Sequence, residues 1–183
     1  MPDPDTASGC TVAPGFEPVR TAFEENFTRR NEVGAACAVY LHGEKVVDLW
    51  GGYRDSGRAT PWSADTRVLM FSATKGVAAA AMAHAQARGL FDRDAPVARY
   101  WPDFAQNGKA SVTVRQLLAH QAGLAAIDGK LTPADIADQE TLLDRLAAKV
   151  PDWAPGTRHG YHAWSLGWYE SGLLRCVDSK GRT

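Results

Sequence analysis

The sequence predicts an α+β chain in which a helix and a β-hairpin precede a mainly helical stretch. Three observations predict it. Phe16, Val19, Phe23 and Phe27 recur at helical spacing after Pro14-Gly15, so residues 16–30 read as a helix with one apolar stripe. Residues 35–41 and 45–53 are rich in Val, Leu and aromatics, and they flank His42-Gly43-Glu44, a short turn of the kind that closes a hairpin. Residues 72–88 are dominated by Ala, Met, Lys and Gln and stop before Gly89, a pattern that predicts a helix with a left-handed cap.

In chain order, residues 1–13 carry acids and prolines and are expected to be disordered, residues 14–60 hold the helix and hairpin, and residues 61–183 form the mainly helical part. Gly57 and Pro61 mark a loop that leads through a brief apolar stretch, 66–71, into the helix of 72–88. The Ala-rich centre of that helix is small and apolar nearly all round, which implies burial on most sides and makes His84 a core histidine. Asp92, Asp94 and Pro96 favour turns, and Ser111-Val112-Thr113 supplies a plausible cap for a short helix over 114–120, ended by Gly123. Thr132-Pro133 opens another helix, and residues 138–150 a further one with Leu142, Leu143 and Leu146 on one face. The last helix spans about 162–177, after the Pro155-Gly156 turn. Two strands do not make a stable sheet alone. Either the chain is mainly helical or the rest of its sheet is missing.

Composition narrows the function classes. A net charge of −1 with acids and bases interspersed leaves no basic stripe for nucleic acid and no polybasic tail for an anionic membrane. The longest apolar run, 76–83, is far short of the roughly 20 residues a membrane helix needs. Cys10, Cys37 and Cys176 are odd in number and far apart, arguing against a disulfide framework or a zinc ribbon and for a reducing compartment. Residues 1–10 lack the basic start and apolar run of a secretory leader, so a cytoplasmic location is expected.

The chemistry centres on Ser72-Ala73-Thr74-Lys75. At the start of a helix, Ser-x-x-Lys puts both side chains on one face within hydrogen-bonding range. A serine hydroxyl is a weak nucleophile until a neighbour removes its proton, and a lysine does so once its ammonium form is disfavoured. Burial and the positive helix N-terminus would both act that way, and the Ser72 N–H is a ready oxyanion donor. With eight serines and six lysines, such a pair arises by chance in roughly one sequence in four. A capping serine would look similar.

The order of segments lifts the motif above chance. It resembles that of serine β-lactamases, including class C, and the related penicillin-binding proteins and family VIII carboxylesterases. Residues 34–53 look like the family's first hairpin and Phe71-Ser72-Ala73-Thr74-Lys75-Gly76 like its nucleophile motif. Gly89-Leu90-Phe91-Asp92 and Pro96-Val97 follow in the family's order. Residues 112–124, from Val112 through Leu117-Leu118-Ala119-His120 to Ala122-Gly123-Leu124, resemble its second signature. The segment Pro155-Gly156-Thr157-Arg158-His159-Gly160-Tyr161-His162-Ala163 matches its tyrosine motif.

The resemblance implies a β-lactamase-like fold of which this is the N-terminal portion, and a covalent acyl-enzyme on Ser72. Lys75 would be the general base and Tyr161 a base or proton relay, on a small ester or amide, with no cofactor and no metal. Ala163 stands where many lactamases and peptidases have Asn, which favours an esterase-like relative. Family members continue well past the tyrosine helix, with further strands, a third motif and a second oxyanion donor. Loss of one such donor costs about 10²–10³ in rate. The alternatives are therefore a non-catalytic remnant or binding module, or half of a split enzyme whose partner chain supplies the missing strands.

Competing sites are weaker. His159 and His162 form His-x-x-His, but no third ligand lies at a persuasive spacing. Tyr161 alone would read as a core tyrosine, and His120 as a helix-end residue rather than a triad base. Trp50, Trp153, Trp164 and Trp168 read as packing residues.

Overall fold

In the computed structural model, which describes residues 10–182, the hairpin forms where the strand pattern puts it. β2 (Gly34–Leu41) pairs antiparallel with β3 (Glu44–Gly52). His42 and Gly43 turn the corner at φ 51° and 87°, the left-handed pair that matches the twist of a two-residue hairpin loop. The disorder expected over 1–13 does not reach Thr11 and Val12, which form β1 (Thr11–Val12) and pair with Asp48 and Val47 of β3. Cys10 fixes this edge, its Sγ donating to the Trp50 carbonyl at 3.1 Å and accepting the Trp50 N–H at 3.3 Å. Residues 1–9 lie outside the described residues. The sheet order is β1-β3-β2, so the two strands predicted are joined by a third.

α1 (Glu17–Arg29) runs along this sheet, with Phe23 and Phe27 edge to face at 5.3 Å. A Cβ on Gly51 would sit 3.8 Å from the Phe23 ring. Gly52 has φ 79°, and a Cβ there would collide with the Val33 carbonyl, so both its conformation and its packing require glycine. Val47 and Leu49 of β3 are buried.

The chain divides into two compact units between Leu69 and Met70. The second unit contains α2 (Thr74–Ala87), α3 (Val114–Leu118), α4 (Pro133–Ala137), α5 (Gln139–Ala148) and α6 (Ser165–Val177). Each lies within a predicted helix, trimmed at the ends. α3 starts at the predicted cap: the Thr113 hydroxyl accepts the Gln116 N–H at 3.1 Å and the Gln116 side chain accepts the Thr113 N–H at 3.0 Å. Trp101, Phe104 and Tyr169 form an aromatic cluster with centroids 5.7–6.4 Å apart, packed by Leu117, Leu142, Leu146 and Leu173. Gly172 lets α6 approach closely, since a Cβ there would lie 2.7 Å from the Trp101 ring. The Tyr169 hydroxyl donates to the Leu146 carbonyl at 3.1 Å, so this core holds no unsatisfied phenol.

α2 departs from expectation. Only Met82 and Ala85 are buried, while Val77, Ala80, Ala81 and His84 face solvent, so His84 is not a core histidine. Alanine's backbone propensity sustains a helix without burial, which is why composition predicted the helix correctly and its surroundings wrongly. No helix among the described residues is long and apolar enough to cross a membrane.

Candidate active site

Ser72 sits in a single 3₁₀ turn, Phe71–Ala73, that leads into α2, rather than in the α-helix itself. Phe71 has φ 44°, a left-handed conformation that costs a bulky residue about 1–2 kcal/mol and puts a sharp bend immediately before the serine. The Ala73 N–H donates to the Met70 carbonyl at 3.1 Å, closing the turn. Lys75, in the first turn of α2, brings its Nζ to 3.4 Å from Ser72 Oγ, as the i,i+3 spacing predicts.

The burial that the sequence reading asks of Lys75 is not there. Lys75 is half-buried, and its ammonium donates to the Ala163 carbonyl at 2.7 Å. Its Nζ also lies 5.0 Å from the centre of the Tyr161 ring. Ser72 and Lys75 lie beside the Tyr161 phenol and hold it below the usual tyrosine range, Ser72 more strongly. The predicted trio is therefore brought together, and the Ala163 carbonyl joins it.

A lattice of histidines fixes the tyrosine segment. The His162 N–H donates to His120 Nδ1 at 2.9 Å, and the Gly160 N–H donates to the His120 carbonyl at 3.0 Å. His162 Nε2 accepts the Leu124 N–H at 3.0 Å, which leaves Nδ1 to donate to the Gly160 carbonyl at 2.6 Å. These partners select one neutral tautomer, and burial pushes the imidazole below its ordinary range. His120 is lowered too, chiefly by burial and then by His162. Ser165 Oγ donates to the Leu124 carbonyl at 2.7 Å. With both ring nitrogens committed to backbone, His162 has none to offer a metal, and no cluster of metal-ligating side chains occurs among the described residues.

Two cavities adjoin these residues. One of about 310 Å³ is walled by Ala125, Ile127, Leu131, Ile136, Trp164 and Trp168. The other, about 540 Å³, lies against α2 and includes Lys75, Met82, Phe91, His120, Leu166 and Glu170 in its walls. Glu170 stands outside the residues that the sequence motifs single out. Its signal was a carboxylate within the apolar stripe of Leu166, Tyr169 and Leu173, where α6 should carry none.

A family model described as Beta-lactamase matches residues 19–174. Esterase/beta-lactamase LipL of Mycobacterium tuberculosis is 47% identical over 167 residues, covering 91% of this chain and 38% of LipL. Esterase EstB of Burkholderia gladioli is 32% identical over 156 residues, covering 76% of this chain and 40% of EstB. The crystal structure of a family VIII carboxylesterase superposes with a TM-score of 0.90 at 44% identity, covering 94% of this chain and 47% of that one. A penicillin-binding protein homolog from Caulobacter crescentus superposes with a TM-score of 0.87 at 42% identity, covering 94% of this chain and 46% of that one. The chain thus spans less than half the length of these relatives.

Proposed function

Because the chain belongs to the β-lactamase family, we propose that it carries the nucleophile half of an esterase-type serine hydrolase working through a covalent acyl-enzyme. One observation carries this reading: Lys75 Nζ lies 3.4 Å from Ser72 Oγ and 5.0 Å from the centre of the Tyr161 ring. Ser72 Oγ attacks the carbonyl carbon of a small ester or amide. Its proton passes to Lys75 in its neutral form, directly or through Tyr161. The same groups return the proton to the departing alkoxide or amine, and water then releases the acyl group by the reverse relay. The Ser72 N–H, at the turn that opens α2, donates to the oxyanion.

Ala163 supports an ester over a β-lactam, because this segment offers the substrate no side-chain amide and uses its carbonyl to hold Lys75. The apolar cavity beside Trp164 and Trp168 suits a short aliphatic or aromatic acyl group. A second reading is favoured by the exposure of Met70, Phe71 and Val77, at 62%, 74% and 68%. In it, turnover needs polypeptide outside these 183 residues, in the same protein or on a partner chain, and this chain alone binds without turning over.

Treatment with a fluorophosphonate and with a chromogenic short-chain ester separates these readings. Labelling and hydrolysis by the wild type that disappear in Ser72→Ala establish the nucleophile. Labelling that survives the substitution removes Ser72 from that role, and a silent wild type favours the second reading.

A further inference from the structure

Glu170 is 5% exposed, yet its Oε2 is the one buried side-chain oxygen or nitrogen among the described residues without a hydrogen-bond partner. Such a group is costly, about 1–3 kcal/mol or more, so an orphaned carboxyl on a packed helix calls for an explanation. With Leu166, one turn earlier on α6, Glu170 forms a wall of the 540 Å³ cavity, and Lys75 of α2 forms another part of the same cavity. The small residues Gly76, Ala79 and Ala83 of α2 line the space and leave it open.

Resting on the acyl-transfer reading above, we propose that Glu170 is a positioning residue for that reaction: across the shared cavity, its carboxylate holds the proton on Lys75. Other charged groups reach this cavity, but each is engaged or remote. Arg115 of α3 makes two bonds to Asp94, at 2.6 and 2.9 Å. His120 accepts the His162 N–H, and Arg93 is exposed. On α6 itself, Arg175 pairs with Glu140 of α5 at 3.0 Å. Lys75 is the one charge that bears on the Glu170 carboxyl: burial pushes the acid up to about 7, and the Lys75 ammonium pulls against that rise. Near neutrality Glu170 changes from a neutral acid to an anion. As an anion it opposes the loss of the Lys75 proton, and so delays activation of Ser72 to higher pH.

The coupling is reciprocal and can be read from either partner. Lysine-selective ¹³C labelling follows the Cε titration of Lys75, assigned with Lys75→Arg, in the wild type and in Glu170→Gln. The proposal expects the Lys75 midpoint to fall by about half a pH unit or more in Glu170→Gln, and the rising limb of ester hydrolysis to move with it. A midpoint unchanged within about 0.1 unit overturns it. Should Glu170→Gln fail to fold by circular dichroism, the ¹³C carboxyl titration of Glu170 in the wild type and in Lys75→Gln decides. It rises in the variant if the two groups are coupled and stays put if they are not. If the wild type is not labelled by fluorophosphonate, the second reading of the function is favoured, while the Lys75 titration still tests the coupling. A moved Lys75 midpoint with an unmoved rate limb supports the coupling and removes Lys75 as the base.

Discussion

Within the second unit, the aromatic core and the turn that carries Ser72 are built on opposite plans. Around Tyr169 and Leu173, the side chains of Trp101, Phe104, Leu117, Leu142 and Leu146 are enclosed, and the Tyr169 phenol is bonded to a carbonyl. Around Ser72, Met70, Phe71 and Val77 face solvent, and order comes from the left-handed Phe71, the Lys75 bond to Ala163 and the histidine lattice. Packing specifies the first region and directional hydrogen bonds the second. Packing tolerates little change in volume and is indifferent to pH, whereas a hydrogen-bonded site tolerates shape changes at its rim and answers to protonation.

That contrast can be broken or sharpened by measurement. The largest effect is expected at Lys75→Met, where ester hydrolysis falls about 10³-fold or more while the thermal midpoint stays within a few degrees of wild type. Equal losses in both would erase the distinction between the regions. Leu173→Ala, in the closed core, should cost about 2–5 kcal/mol in chemical denaturation and leave the pH profile of any remaining activity in place.

Protonation should act on the other region with two opposite slopes. His162 has a folded-state pKa below its ordinary 6.5, so its contribution is complete above that pH and is lost as pH falls below it. Glu170 is raised from 4.5 to about 7, so its contribution is complete below 4.5 and is lost as pH climbs through 7. Denaturation across pH 4–9 should therefore show an optimum, with an alkaline loss of about 1–2 kcal/mol after allowance for solvent screening. Glu170→Gln should flatten that side alone. The smallest effect is Thr113→Ala, which removes the α3 cap for about 1 kcal/mol with labelling at Ser72 intact.

Much of this was legible in the sequence because the signals are local. The caps, the helix periodicity and the His42-Gly43 turn are each written within a few residues, and the Ser72–Lys75 pair follows from helical pitch. Three features were not legible, for different physical reasons. β1 depends on Cys10 meeting Trp50, forty positions away, and no short-range pattern encodes that pairing. The exposure of α2 was hidden because alanine propensity is satisfied by either surroundings. The tie of Lys75 to the Ala163 carbonyl is a backbone contact, so it leaves no side-chain signature.

That tie spans 88 positions and has a kinetic consequence. Loop closure over such a distance follows the formation of local helices, so α2 and the tyrosine segment meet only after most of the intervening chain has folded. Until then Ser72 is an ordinary hydroxyl on a nascent helix. On the proposed acyl-transfer reading, acylating power is acquired late in folding, and the rate at which a fluorophosphonate captures Ser72 during refolding would time the completion of the whole helical unit.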